Sequence, residues 1–361
     1  MTTEAVADPT RPGSTRPGSA RPGPTRPRPV RLGRTAVGAL VLAAVLAAAI
    51  ALSLMIGANP LPWSTVWESL RGAGTPDSDY IVLGLRLPRT VAGIVAGSAL
   101  GVAGALMQSF SRNPLADPGI LGVNAGAAFA VALTVTLVGA HSPLLLVWPA
   151  FLGALVVTIA VAVVGSSGRG PADPLRLTLA GVAVGAVLSG ITSGMMLSDP
   201  DAFDSMRGWN AGSLLGRTLD VVLPVVPFIL AGLLLAFVLG RPLNALALGD
   251  DLARAQGIPV GAVRVASIVA VTLLAGAATA LVGPLSFVGL MVPHVVRWIV
   301  GPDQRRILPL SALAAPVVVL LADVLGRVVI APAEVPAGIV TAFVGAPVLI
   351  VLARRRKASA L

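Results

Sequence analysis

Eight stretches of this chain, 16 to 50 residues long, contain no Asp, Glu, Lys or Arg. An α-helix needs about 20 apolar residues to cross the hydrocarbon core of a bilayer. Backbone groups find no water there, so only helices and closed barrels span it. The fold class that follows is an all-α membrane protein. Composition adds the same constraint. The 361 residues are 55% hydrophobic and 12% charged, whereas about a quarter of a soluble domain is charged.

Six of the stretches fit one helix each: Ala36–Ile56 (helix 1), Thr90–Ser111 (helix 2), Leu177–Ser198 (helix 5), Val221–Gly240 (helix 6), Ile307–Ala322 (helix 9) and Val335–Ala353 (helix 10). Two are too long. Gly119–Gly168 breaks at His141-Ser142-Pro143 into helices 3 and 4, and Val265–Val296 breaks at Gly283-Pro284 into helices 7 and 8, one of them short or irregular. About ten transmembrane helices therefore occupy a membrane domain over 35–357. Residues 1–34, with Arg-Pro-Gly at 11, 16 and 21, read as a disordered, solvated arm. Residues 358–361 form a short tail, and 241–264 an aqueous loop.

Orientation follows from where the 26 basic residues lie, because Lys and Arg accumulate on the cytoplasmic side. With ten spans the termini share a side. The arm, the even-numbered connections 2–3, 4–5, 6–7 and 8–9 counted with it, and the terminal run Arg354-Arg355-Arg356-Lys357 then hold 20 basic residues, against 6 opposite. Both termini are expected in the cytoplasm of a multi-pass cell-membrane protein. Trp63, Trp67, Trp148 and Trp209 are expected near the outer interface, Trp298 near the inner one.

Chemistry is scarce. The chain has no cysteine and two histidines, His141 and His294, so thiolate sites, iron–sulfur clusters and histidine cages are excluded. The net charge of +10 reflects topology, and no nucleic-acid partner is expected. No carboxylate lies mid-span, which argues against a proton- or sodium-coupled secondary transporter, the alternative reading. The only lysine is Lys357, so the chain has no phosphate-binding loop. Active transport would need power from another polypeptide. An intramembrane enzyme would need a dyad or ligand set that the spans lack.

Within the spans, Gly93, Gly97, Gly101 and Gly104 form a stripe on helix 2, expected to be a packing seam. Gly181, Gly185, Gly190 and Gly194 repeat it on helix 5, where packing and a smooth pore wall stay equally open. Gln108 and Asn124 are expected to bond between helices, His294 to be structural, and Asp323 to pair with Arg327 four residues on. In the 6–7 loop, Asp250–Gln256 lies between Gly249 and Gly257-Ile258-Pro259, which are helix start and stop signals.

Two blocks are more specific. LRLPRTVAGIVAGSALGVAGALMQSFSRNPLADPGILGVNAGA covers 85–127. GPLSFVGLMVPHVVRWIVGPDQRRILPLSAL at 283–313 leads to ADVLGRVVIAPAEVPAGIVTAFVGAPVLIVL at 322–352. Over roughly 36–357 the chain resembles the FecCD (BtuC-like) permeases of ATP-binding-cassette (ABC) importers for iron–siderophores, haem and cobalamin. The resemblance implies the BtuC-like permease fold and no enzyme activity in this chain. It also implies a second permease copy or a paralogue, a cytoplasmic ATPase dimer that binds ATP and Mg, and an extracytoplasmic solute-binding protein. By the same resemblance 249–257 is the coupling helix against the ATPase, with Asp250, Asp251, Ala253, Arg254 and Gly257 at the matching positions. Arg86, Arg89 and Arg327 fall where the family's arginines face acidic residues of the binding protein. The implied function is import of a metal chelate, an iron–siderophore first.

Overall fold

The computed structural model describes residues 32–166 and 174–354. The arm to residue 31, the 4–5 connection around Arg169 and the tail from Arg355 lie outside the described residues.

Every segment expected from the sequence is a helix. They are α1 (Leu32–Met55), α2 (Leu87–Ser111), α3 (Val123–Val138), α4 (Pro143–Ser166), α5 (Pro174–Ser198), α6 (Val226–Ala247), α7 (Val260–Val282), α8 (Val288–Val300), α9 (Gln304–Val329) and α10 (Ala337–Arg354). Seven have the length and hydropathy of a membrane crossing; α3, α8 and α10 are shorter apolar helices. Both expected breaks occur. Gly139 closes α3 at φ +66, and its N–H donates to the Val135 carbonyl at 2.8 Å. Gly283 stops α7 at φ +76, and α8 begins only at Val288, so the short helix of that pair is α8.

The helix 2 stripe is a seam, as expected. A Cβ on Gly97 would stand 2.7 Å from the Pro316 Cα of α9, and one on Gly101 2.6 Å from the Ser311 carbonyl oxygen. Lipid tails are as apolar as Leu, so such close backbone contact, not hydrophobic exclusion, holds α2 at the centre of the bundle. The helix 5 stripe divides. Gly181 abuts the backbone of Ile120, whereas Gly190 and Gly194 face open space.

Interior polar groups are shared between helices. Gln108 Nε2 donates to the Leu290 carbonyl at 2.9 Å and Arg297 Nη2 to Gln108 Oε1 at 3.1 Å, which ties α2 to α8. Thr279 Oγ1 donates to Asn124 Oδ1 at 3.0 Å, tying α7 to α3. His294 is buried and meets the Trp298 ring edge-on at 5.0 Å. Trp63 and Trp67 stack at 6.1 Å on a half-exposed helix between α1 and α2. Trp209 is buried rather than at a surface, and the turn after it meets the end of α7, where Ser213 N–H donates to the Val282 carbonyl.

Candidate functional site

Residues 249–258, at the expected cytoplasmic end, form one helical turn with a defined start and stop. Gly249 has φ +114 and Gly257 φ +78, backbone states that glycine adopts without a Cβ penalty. Ile258 N–H donates to the Ala253 carbonyl at 3.0 Å and Gly257 N–H to the Arg254 carbonyl at 2.9 Å. These two bonds are the glycine-terminated Schellman cap. Ala253 is the buried foot of the turn, which leaves no room for a larger residue.

Asp250 fastens this turn to the bundle. Its Oδ1 accepts from Arg112 Nη2 at 2.5 Å, and its Oδ2 accepts from Arg264 Nη2 at 2.8 Å. Arg112 Nη2 also donates to the Leu246 carbonyl at 2.7 Å. Arg112 ends α2 in the left-handed region, φ 50, so the N-P-L-A-D-P turn and the 249–258 turn are joined through one carboxylate. Outward lie Leu248, Asp251, Leu252 and Arg254. Arg254 Nη1 donates to Asp251 Oδ1 at 3.0 Å, and a Cβ on Gly257 would meet nothing within 4 Å. Of the five residues expected here, Asp250 and Ala253 face the bundle, while Asp251, Arg254 and Gly257 are presented outward. Arg112 and Arg264 were not anticipated. They lie 138 and 14 residues from Asp250, and no local pattern links them.

The structure brings Arg86, Arg89 and Arg327 together at the opposite end, all three buried and partnered. Arg89 grips Asp323 through Nε (3.1 and 3.0 Å) and Nη2 (2.7 Å). Arg327 also bonds Asp323, so the expected pair exists with a third member. The remaining donors of Arg327 and Arg86 cap α1. Arg327 Nη1 reaches the carbonyls of Ser53 and Ile56 at 2.8 and 2.9 Å. Arg86 Nη1 reaches those of Leu54 and Met55, each at 2.7 Å, and Arg86 Nη2 that of Asn59. A helix C-terminus leaves its last carbonyls unpaired and carries partial negative charge, and guanidinium groups answer both needs. Tyr80–Arg86, wound as a π-helix, carries Arg86 to this position; such turns recur at functional sites.

These arginines line a cavity of about 250 Å³ with Arg217, Glu334 and the backbone of Gly57–Asn59 and Leu215–Thr218. Arg217 was not anticipated. Its Nε is buried without a hydrogen-bond partner, and burial lowers its pKa to about 10, which leaves it ionised at neutral pH. Among the described residues no group of three or more His, Cys, Asp or Glu could hold a metal ion.

Among the described residues, apolar helices packed around a glycine-striped centre, with an anchored surface turn at one end and a basic cavity at the other, define a polytopic helical membrane protein. The chain belongs to the FecCD transport family, whose model matches residues 45–355. It is 52% identical over 309 residues to the ferric enterobactin transport system permease protein FepD of Escherichia coli (strain K12), covering 85% of this chain and 91% of that one. It is 36% identical over 310 residues to the hemin transport system permease protein HmuU of Yersinia pestis, covering 84% and 91%. Among solved structures it is similar to an ABC transporter assigned to the metal-chelate type, in an inward-facing conformation. That likeness has a TM-score of 0.76 and 25% identity, over 89% of this chain and 99% of the other. The chain is thus a permease subunit of an ABC transporter, a multi-pass membrane protein and not an enzyme.

Proposed function

We propose that this permease imports a ferric siderophore by alternating access, powered by a separate ATPase dimer seated against residues 249–257. The anchored turn carries this reading. Asp250 holds it rigidly to α2 and α7 through Arg112 and Arg264, while Asp251, Leu252, Arg254 and Gly257 face outward. A rigid lever with a bare glycine at its tip suits the transfer of motion from an ATPase groove into the bundle. ATP and Mg belong to that partner. The substrate follows from the relatives, one of which is named for ferric enterobactin transport. A binding protein delivers the chelate at the opposite end, where its acidic residues meet the cavity walled by Arg86, Arg89 and Arg327.

A second copy or a paralogue completes the translocation path. Support comes from α5 and α10, whose outer faces leave Gly190, Gly194, Leu197 and Phe343 uncovered. Small and apolar walls of that kind let a bulky chelate slide.

Both termini and the 249–257 turn then face the cytoplasm. The chain has no cysteine, so a single Asp251→Cys substitution gives an unambiguous probe. A membrane-impermeant maleimide should label it only in inverted vesicles or opened cells. Labelling in intact cells would overturn the orientation.

A further inference from the structure

The cavity opposite the coupling turn is lined by four arginines, Arg86, Arg89, Arg217 and Arg327, and by Glu334; Asp323 bonds two of the four, Arg89 and Arg327. The carboxylates are held unequally. Asp323 is 1% exposed and is bonded by both Arg89 and Arg327. The Glu334 side chain is 23% exposed, and its Oε2 pairs with one guanidinium, Arg89 Nη1 at 2.7 Å. A partly exposed carboxylate with one guanidinium partner is held less firmly than one buried between two, so Glu334 is the more readily displaced.

Glu334 sits on the short connection from α9 to α10, and that connection is wired to the bundle. Val335 N–H donates to the Gly326 carbonyl at 2.9 Å, and Gly338 N–H, at the start of α10, to the Gly212 carbonyl at 2.8 Å. The 215–218 segment that follows Gly212 forms another cavity wall. A ligand that displaced Glu334 would release the side-chain tie between this connection and Arg89 of α2 and touch the 215–218 wall that follows the turn against which α10 starts.

We propose that Glu334 is an exchangeable internal counter-ion, holding the place on Arg89 that a carboxylate of the docking partner takes, so that docking frees the α9–α10 connection. This rests on the docking role proposed above. The incoming carboxylate has a reason to displace Glu334: Arg217 Nε lacks a partner in the same cavity, so a group entering there satisfies two guanidiniums where Glu334 meets one. The shift is set by that difference in binding to the closed and released connection.

The test uses the permease–ATPase complex in nanodiscs with its binding protein. Glu334→Gln removes the competing charge and should tighten association on the order of tenfold, a typical coupling between linked sites, mainly through slower dissociation. ATPase activity before docking should rise, and the further stimulation by docking should shrink. Glu334→Asp, which keeps the charge but shortens its reach, should fall between. Unchanged or weaker association in Glu334→Gln overturns the exchange. Arg217→Glu separates the two ideas, because a carboxylate placed in the cavity should repel the partner and abolish association. If Arg217→Glu binds normally, docking at this cavity fails; if it abolishes binding while Glu334→Gln changes nothing, only the exchange fails.

Discussion

Asp323→Ala is expected to remove most of the folded protein from the membrane. Asp323 is buried between Arg89 and Arg327, and its loss leaves buried Arg327 without a bonded carboxylate and Arg89 with Glu334 alone. Breaking a buried pair from one side costs about 3–5 kcal/mol, because the remaining charge stays buried. The damage should spread, since Arg327 also caps the end of α1 through Ser53 and Ile56. Fluorescence-detected size-exclusion of the detergent-extracted chain should show a collapsed or absent monodisperse peak. Asp323→Asn, which keeps the shape and loses the charge, should be intermediate. A normal peak and unchanged melting temperature for Asp323→Ala would mean that the arginines find water instead, and that the cluster is not a brace.

Gly257→Trp should abolish ATP-driven uptake while the membrane body stays folded. The residue is a left-handed cap at φ +78 with nothing within 4 Å of its missing Cβ, so an added side chain starts into open space, where a partner pressed against the turn would meet it. The left-handed backbone adds strain of roughly 1–2 kcal/mol for a residue other than glycine. Gly257→Asn is therefore the control, because Asn tolerates that conformation with a small side chain. Uptake by Gly257→Trp should fall to the level seen without ATP, with ATPase association weakened, whereas Gly257→Asn should retain most of both. Equal uptake by the two variants would make 249–257 a plain connector.

The bundle was legible in the sequence because lipid imposes a local rule: an uncharged run of sufficient length must be a helix, and Gly283-Pro284 must end one. The seam of Gly97 and Gly101 was legible for the same reason, as was the four-residue spacing of Asp323 and Arg327. The turn at 249–257 could be placed from its two glycines. What anchors it could not, because Arg112 and Asp250 meet only after α2, α6 and α7 have packed. The arginine cluster was half legible. Its members could be put near one another, at the ends of helices 2 and 9, but a sequence cannot show that the C-terminal carbonyls of α1 and the carboxylate of α9 would converge on them and bury them. Charge reversal at Arg86 and Arg89 thus carries a folding cost as well as a docking one, and Arg217→Glu is the cleaner probe of docking. The burial of Trp209 was equally invisible, since an interfacial tryptophan and a buried one look alike in sequence.

This chain is expected to move a ferric chelate only as part of an ATP-driven assembly. The direct measurement is uptake of a radiolabelled ferric siderophore into proteoliposomes carrying the permease, with the ATPase, ATP and loaded binding protein supplied or withheld in turn. Accumulation is predicted only when all are present, with ATP on the side of the 249–257 turn and binding protein on the other, and it should persist after proton and sodium gradients are collapsed. Uptake by the permease alone, driven by an ion gradient and lost when that gradient is dissipated, would contradict the account.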